Sequence, residues 1–299
     1  MGASVRSLAL KIGKSVGKAF ALLKAERDAL PHNNSVTVQY CHPQKFGGVI
    51  VVDGKYVAVK GYDEKIPFLW GIDHRTHDIP VCMLAPSESY QAWLQFFTNL
   101  KNTGYHCFAV VCDDNEAIRM AAHYVYPKAL LQLCHVHFLE NVRRTLKVRS
   151  DDTYKAFVKE IEETIFKVPL LGRKKLKKRC FELLQKHKDD AVKIAALQYV
   201  AEHRKWLTGY VCANGWYHQE CPKTTNMIES YNKHLQGRLK TIQGFESFAS
   251  AEKWLSAYAL YRRLKPFTDC TKKWKKLNGF CSMEKTLKKE TELPDFFAP

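Results

Sequence analysis

The sequence predicts an α/β protein in which helices flank a mixed β-sheet, with an all-helical insertion and a short pair of helices at the amino terminus. Three observations favour this fold class. Strand-like runs come first, from about residue 46, and strands and helices then alternate as far as about residue 137. The stretch 138–218 is helical and basic, without a strong strand-like run. Strands followed by strand-helix alternation are typical of a sheet with both antiparallel and parallel pairs.

The charge balance limits the partners of the protein. The chain has 299 residues, of which 46% are hydrophobic, so it is long enough to bury a substantial core. It carries 47 Lys and Arg against 30 Asp and Glu, a formal charge of +17. Such an excess favours a polyanionic partner, nucleic acid first and an anionic membrane surface second. No run reaches the roughly 18 apolar residues of a membrane span, so no membrane insertion is expected.

The cysteines indicate a reducing compartment. The ten cysteines form no C-x-x-C pair, and the sequence has no signal peptide. We therefore expect a cytoplasmic protein in which most thiols pack as small apolar residues.

Residues 1–30 predict two short helices that form part of a helix-turn-helix. Gly13 supplies the turn, and Ser15 caps the second helix. Leu8, Ala9 and Ile12 are expected on the apolar face of the first helix, and Ala19, Phe20 and Leu23 on that of the second. The second helix, with Lys14, Lys18 and Lys24, would enter the DNA major groove. The alternatives are a plain amphipathic helical hairpin and an organelle transit peptide. As a helix-turn-helix, the segment would lack the expected first helix.

The remaining segments follow in order. Residues 31–45 are turn-rich and suit a linker. The first part of the core, 46–137, contains single strands in "GVIVVDG", "KYVAVKGY" and "CFAVVCDD", and two strands in "IPFLWGIDHRTHDIPVCMLAP" with a turn at Arg75–Asp78 between them. It also contains helices in "SESYQAWLQFFTNLKNTGY" and "NEAIRMAAHYVY". The second part, 219–265, follows the insertion at 138–218. The tail, 266–299, is polar and offers few core residues.

Acidic residues follow two of the buried strand runs. Asp53 ends "VIVVD", and Asp113 and Asp114 end "FAVVCDD". Ligands collect at strand ends in open α/β sheets, and adjacent carboxylates need a cation to neutralise them. A hard divalent cation is the usual partner. The alternative for either segment alone is a turn or a helix cap.

The predicted helix from Thr225 offers a third carboxylate. Ile228, Tyr231, Leu235, Leu239 and Ile242 fall in one stripe, and Glu229, Lys233, Gln236 and Lys240 fall in another, about 100° away. Glu229 and Lys233 alone would make only an i,i+4 ion pair. That alternative leaves unexplained the hydrogen-bonding residues around the acid, which are Thr224, Thr225, Asn226, Asn232 and Gln236.

With these motifs, the sequence resembles a DDE transposase of the Mutator-like and bacterial insertion-sequence group. The resemblance runs from about residue 44 to 262 and rests on four ordered segments. These are "VVDGKYV", "VVCDDNEAI", "CHVHFLENV" and "TTNMIESYNKHLQGRLKTIQGF". Cys134 and His137 match the C-x-x-H pair of the family, and the stretch 138–218 matches its helical insertion.

The resemblance implies a ribonuclease-H-like fold with Asp53, Asp113 and Glu229 as catalytic metal ligands, and Asp114 as the alternative to Asp113. Asn226 and Asn232 would support this site. Two Mg²⁺ or Mn²⁺ ions would serve phosphoryl transfer at DNA phosphodiesters. Basic residues would hold the DNA backbone, namely Lys14, Lys18, Arg143, Arg144, Lys233, Arg238 and Lys240. The DNA partners would be double-stranded element ends and target DNA. Further copies of the chain would join in a dimer or higher oligomer. In a prokaryote the protein would be associated with the nucleoid.

Several alternatives remain open from the sequence. Cys134, His135 and His137 are possible zinc ligand types, but no second pair at finger-like spacing lies nearby. Trp206 would serve as a core anchor or stack on a displaced base. The chain could also be a catalytically inactive or truncated transposase-derived DNA-binding protein, another ribonuclease-H-like nuclease such as a resolvase, or a structural basic protein.

Overall fold

A five-stranded mixed sheet organises the part of the chain that the structure, a computed structural model, describes: residues 5–168, 172–242 and 244–297. Residues 1–4 of the predicted amino-terminal segment and 298–299 of the tail lie outside it. The strands are β1 (Val49–Val57), β2 (Ile66–Asp73), β3 (Val81–Leu84), β4 (Ala109–Cys112) and β5 (Leu130–Leu133). They lie in the order β3-β2-β1-β4-β5. The first three strands pair antiparallel, whereas β1, β4 and β5 pair parallel.

This topology confirms the predicted α/β class and is compatible with a ribonuclease-H-like fold. The α-helices of the described residues are α1 (Val5–Lys11), α2 (Val16–Ala29), α3 (Asn33–Tyr40), α4 (Tyr90–Asn102), α5 (Glu116–Val125), α6 (His135–Thr145), α7 (Lys155–Ile161), α8 (Arg173–Lys186), α9 (Ala191–Glu202), α10 (Arg204–Leu207), α11 (Gly209–Trp216), α12 (Asn226–Leu239) and α13 (Phe248–Leu264). Shorter helical turns cover Pro43–Lys45, Glu162–Phe166, Lys272–Leu277 and Met283–Lys285.

Both faces of the sheet are covered by helices. Along β1, Ile50 and Val52 belong to the core under α4 and α5, whereas Val49 and Val51 belong to the core under α12 and α13. Side chains alternate between the two faces of a strand, so a strand buried on both sides needs apolar residues at every position. This requirement accounts for the unbroken run at 49–52.

The strand bounds correct two sequence interpretations. "GVIVVDG" and "KYVAVKGY" were expected as separate strands, with Asp53 at a strand end, but β1 continues through Asp53 to Val57. Beyond Asp53, β1 is held by β2 alone, because Gly54 pairs with Leu69 and Val57 with Ile66. Strand β5 was not predicted, because "LLQL" is short and only its last two residues are buried.

The amino-terminal helices have the expected turn but not the expected apolar faces. Gly13 adopts a φ of +63° between α1 and α2, and the Ser15 side chain accepts a hydrogen bond from the Lys18 N–H. Ala9 and Ala19 are buried, whereas Phe20 is 55% exposed. The short side chains therefore make the close contacts, and the predicted apolar stripe lies on the surface.

The predicted linker and tail are tied to the core by a buried ion pair. Arg263 on α13 donates from Nε and Nη2 to both oxygens of Asp78, at 2.8 and 2.9 Å. Arg263 also donates to Thr37 of α3, and Thr286 of the tail donates to Asp78. Asp78 and Arg263 are both fully buried. The tail also buries Leu277, Cys281, Met283 and Leu287, so it contributes more to the core than its polar composition indicated.

The helical segment α7–α11 leaves and rejoins the sheet at one place. The His135 N–H donates to the carbonyl of Lys223 at 2.9 Å, and the Thr225 N–H donates to Cys134 Sγ at 3.3 Å. The described residues between α6 and α12 contain no strand. The buried side chains of α7–α9, including Phe157, Leu176 and Leu197, continue the core on the α4 face, whereas Tyr210 and Ala213 of α11 belong to the core under α12.

No helix among the described residues is long and apolar enough to cross a membrane.

Candidate active site

The register of the parallel strands brings Asp53 and Asp113 into line. Val51 of β1 pairs with Val111 of β4, and each aspartate lies two residues beyond its member of this pair. Two residues are one full period of a strand, so Asp53 lies on the face that Val51 and Val111 share. Asp113 directly follows β4, and His137 links it to Glu229 of α12 on the same side. That face packs against α12.

Asp53 is a largely buried carboxylate with few donors. Asn232 Nδ2 donates to Asp53 Oδ2 at 2.6 Å, and the Gly54 N–H donates to Oδ1 at 2.8 Å. Burial first, and then repulsion from Asp113, raise the pKa of Asp53 to about 7. The charge of Asp113 therefore opposes the ionisation of Asp53, and a cation between the two carboxylates would relieve that repulsion.

Asn232 connects the carboxylate on β1 to the helix that carries Glu229. It lies almost one turn after Glu229 on α12, and its Oδ1 accepts a hydrogen bond from Trp70 Nε1 at 3.1 Å. Trp70 is fully buried on β2. The amide is thus fixed at both ends, and it sets the position of α12 against Asp53.

Asp113 and Asp114 point to opposite sides of the sheet. The Asp113 side chain is 36% exposed and lies 2.5 Å from Nδ1 of His137. The Asp114 side chain is only 6% exposed, and both Arg119 and the hydroxyl of Tyr199 donate to it. These contacts fix the Asp114 side chain, which thereby attaches α9 to the core. They leave Asp113 as the acid beside Asp53.

His137 lies between two of the predicted metal ligands. Besides its contact with Asp113, its Nε2 is 3.7 Å from Glu229 Oε1. Hydrogen bonds to Asp113 and then to Cys134 outweigh burial and raise the pKa of His137 to about 11. The imidazole is therefore protonated at neutral pH, and its charge faces both carboxylates.

Glu229 lies on the predicted face of α12. The Thr225 hydroxyl donates to Glu229 Oε1 at 3.1 Å. The Glu229 side chain is 31% exposed and borders a groove of about 440 Å³ that is also lined by Asn232, Lys233, Gln236, Lys240 and Lys55. The expected stripe on α12 thus lines one surface. Lys55, which follows Asp53 on β1, had not been predicted there.

The structure places other predicted residues elsewhere. Arg238 and Asn226 line a different cavity, whose lining does not include Glu229. Arg143 is held by Glu162 at 2.7 Å, whereas Arg144 is exposed and donates to Asn141. Lys14 and Lys18 are exposed on the amino-terminal helices. Trp206 is partly buried, with the Arg119 guanidinium 4.6 Å from its ring centre.

Glu88 is an acid near the site that sequence reasoning missed. It accepts hydrogen bonds from the Tyr56 hydroxyl at 2.5 Å, Asn115 Nδ2 at 3.1 Å and Trp93 Nε1 at 3.3 Å. A Cβ atom added to Gly54 would lie 3.5 Å from the Glu88 carboxylate, so the backbone beside Asp53 packs against it. Only the strand order brings the β3–α4 junction to β1, and the sequence around Glu88 carries no other signal.

Two donor sets in this region suit different metals. Asp113, Cys134 and His137 offer ligand atoms within 4.8 Å of one another. Burial would raise the pKa of the Cys134 thiol, but hydrogen bonds with His137 and Thr225 outweigh it and lower that pKa. A structural zinc needs four ligands, and no larger His, Cys, Asp and Glu group is found among the described residues. Asp53, Asp113 and Glu229 instead offer carboxylate oxygens, which Mg²⁺ and Mn²⁺ prefer.

Comparisons with known proteins identify the family of the chain. The family described as "Transposase, Mutator family" matches residues 48–264, which is most of the chain. Two curated relatives, from Staphylococcus aureus and from Enterococcus faecalis (strain ATCC 700802 / V583), are each described as "Transposase for insertion sequence element IS256 in transposon Tn4001". Each is 26% identical over 184 residues, covering 58% of this chain and 43% of the relative. The chain thus aligns with less than half the length of these relatives. On the strength of the family match, the chain belongs to the Mutator family of transposases.

Proposed function

We propose that the chain is a DDE-type transposase that cuts DNA at the ends of a mobile element and joins the freed ends to target DNA. The observation that carries this proposal is the alignment of Asp53 on β1 with Asp113, which directly follows the adjacent parallel strand β4, on the side covered by the helix of Glu229. Carboxylates that together bind a divalent cation are expected to repel each other without the ion, and the charge of Asp113 acts on Asp53 in this way.

Asp53, Asp113 and Glu229 would hold two Mg²⁺ or Mn²⁺ ions. When bound, such ions activate the attacking hydroxyl and stabilise the leaving oxygen in phosphoryl transfer. Asn232 orients Asp53, His137 Nδ1 orients Asp113, and the Thr225 hydroxyl orients Glu229. Lys55, Lys233 and Lys240 border the same groove and provide contacts for the DNA phosphates.

The remaining segments serve this reaction. The core at 46–137 and 219–265 has a ribonuclease-H-like fold, and the helix pair α1 and α2 contacts DNA as a helix-turn-helix. Residues 31–45 connect the two, and the basic helical insertion at 138–218 lies over the DNA. The polar tail after residue 265 contacts α3 and α13 through Lys288 and Ser282. Because two element ends must be brought together before joining, the active form is a dimer or higher oligomer. The protein acts in the cytoplasm, on the nucleoid in a prokaryote.

The test is an in vitro reaction of the full chain with duplexes that carry the terminal repeats of its element and a supercoiled target plasmid. We expect cleavage and strand transfer with Mg²⁺ or Mn²⁺, and neither product with a chelator. Cleavage without joining would favour another ribonuclease-H-like nuclease. Repeat-specific binding without cleavage under any of these metal conditions would contradict the proposal and favour an inactive DNA-binding protein.

Replacing Asn232 with alanine is expected to lower the cleavage rate by about 10- to 100-fold, as is usual for residues that orient metal ligands. The substitution removes the donor to Asp53 but no carboxylate. Gln236→Ala, on the same groove, is the matched control and is expected to change the rate by less than about threefold, since Gln236 has no such role. Equal losses in the two variants would rule out a positioning role for Asn232.

A further inference from the structure

A second cavity lies on the side of α12 away from Glu229. It has a volume of about 550 Å³ and is bordered by α12, α13 and the segment 266–274 that follows α13. Its lining includes Tyr231, His234 and Arg238 of α12 but not Glu229, Lys233 or Lys240, which border the groove described above. The helix therefore separates two surfaces, and the proposed reaction uses only one of them.

Cations converge on this cavity. Arg238, Arg262 and Lys265 line it, and Asp269 is the single acid in its described lining. None of the three cations has an acidic partner within 4.0 Å among the described residues. Burial first, and then the charges of Arg262, Lys265 and Arg238, lower the pKa of His234. The positive charges therefore lie close enough together to oppose a further one, as in a site that receives an anion.

Arg262 has an unused donor. Its guanidinium lies 5.2 Å from the centre of the Tyr231 ring, and its buried Nε has no hydrogen-bond partner among the described residues. Buried donors are normally paired, and a guanidinium fits a phosphate with two parallel hydrogen bonds. Because Nε itself is buried, a phosphate in the cavity would be bound through the other two guanidinium nitrogens of Arg262, a residue of intermediate exposure.

Aromatic rings provide the rest of the lining. Tyr258, Tyr261, Phe267 and Trp274 border the cavity, and Lys265 Nζ lies 5.8 Å from the centre of the Tyr261 ring. Rings beside cations are the usual means of binding unstacked bases without sequence preference. The volume is within the range of small-ligand sites and far too small for a double helix.

We propose that this cavity binds one unstacked nucleotide of a DNA strand, with its phosphate against Arg262, Lys265 and Arg238 and its base against the aromatic lining. The identification of the strand as DNA rests on the proposed function. Because Glu229 lies on the other side of α12, a DNA strand that reaches both the cavity and the groove beside Glu229 crosses this helix. The cavity would thus hold one nucleotide out of the base stack, and the cost of removing a base from the stack favours DNA that is already unpaired there.

The test compares DNA duplexes that differ by one unpaired nucleotide. A fluorescent adenine analogue, 2-aminopurine, is placed at the unpaired position or in a fully paired duplex, and the full chain is titrated in a chelator so that no cleavage occurs. We expect about tenfold tighter binding of the unpaired duplex and quenching of the analogue by the aromatic lining. The double variant Arg262→Gln with Lys265→Gln is expected to lose this preference. Tyr261→Leu is expected to reduce the quenching with no change of charge.

The matched control removes two exposed lysines elsewhere. The double variant Lys101→Gln with Lys289→Gln has the same charge loss and is expected to retain the tenfold preference. Equal weakening of paired and unpaired duplexes by the Arg262 and Lys265 variant would overturn the proposal, as would a preference that survives it. If that variant does not fold, Lys265→Gln and His234→Gln, which alter less buried side chains, replace it under the same criteria.

Binding without cleavage separates this inference from the proposed function. A chain that binds the unpaired nucleotide in chelator but never cuts DNA with Mg²⁺ would support the cavity and contradict the transposase reaction. A chain that cuts and joins DNA but shows no preference for the unpaired duplex would contradict the cavity alone.

Discussion

Replacing Asp113 with asparagine is expected to lower the rate of metal-dependent DNA cleavage by about 1,000-fold or more. Removing even one stabilising donor from an active site costs about 100- to 1,000-fold in rate, and a carboxylate that holds a metal should cost at least as much. The same loss is expected for Asp53→Asn and Glu229→Gln. The Asp113 side chain is partly exposed, so thermal unfolding of this variant should resemble that of the parent chain.

Asp114→Asn is the matched control, because it makes the same chemical change one residue away. Asp114 is buried against Arg119 and Tyr199, so we expect a loss of about 1.5–3 kcal/mol in the free energy of unfolding. The folded fraction should still cut DNA at nearly the parent rate. Loss of cleavage in a stable Asp114 variant, with retention in Asp113→Asn, would reverse the assignment of the two acids.

Replacing Arg263 with methionine is expected to lower the free energy of unfolding by about 3–5 kcal/mol. The substitution leaves the fully buried carboxylate of Asp78 without its cation, and an uncompensated buried charge is costly. Urea or guanidinium unfolding measures the change. The tail should also become sensitive to protease, because Ser282 and Thr286 donate to the same carboxylate.

The double variant Asp78→Asn with Arg263→Met separates the ion pair from the packing around it. It should be more stable than Arg263→Met alone, since no buried charge is left unpaired. The control is Lys178→Gln, which removes an exposed i,i+4 pair with Glu182 and should change stability by less than about 0.5 kcal/mol. An effect of Arg263→Met as small as that of the control would contradict the stabilising role of the network.

Local patterns in the sequence predicted much of the fold and the central carboxylates. Apolar runs located β1, β2 and β4, because strands buried on both faces leave few positions for polar residues. Helical phase predicted the groove face of α12, from Glu229 to Lys240. The preference for Asp113 over Asp114 came from resemblance alone. The structure adds a physical reason, because Asp113 lies beside His137, whereas Asp114 is held by Arg119 and Tyr199.

Features that depend on distant contacts could not be predicted. The tail and α3 look polar, yet they are fixed by Asp78 and Arg263, which are 185 residues apart in sequence. Glu88 comes near Asp53 only because β2 and β3 fold back beside β1. Arg238 was grouped with Lys240, although nine residues after Glu229 place it about 180° around α12. The angular position of Arg238 could have been calculated from the sequence. The cavity on that side could not, because it depends on the position of α13.

The two hydrogen bonds that close the helical segment have a consequence for how the family can vary in length. The chain leaves the core at Cys134 and returns at Thr225, 91 residues later, with these two residues in direct contact. Doubling the length of a closed segment costs only about 0.6 kcal/mol in chain entropy. Insertions near the tips of α7 and α8 are therefore tolerable without any movement of Glu229. A single residue inserted in α12 between Glu229 and Asn232 would instead rotate one relative to the other by about 100° and disconnect the acid from its partner on β1.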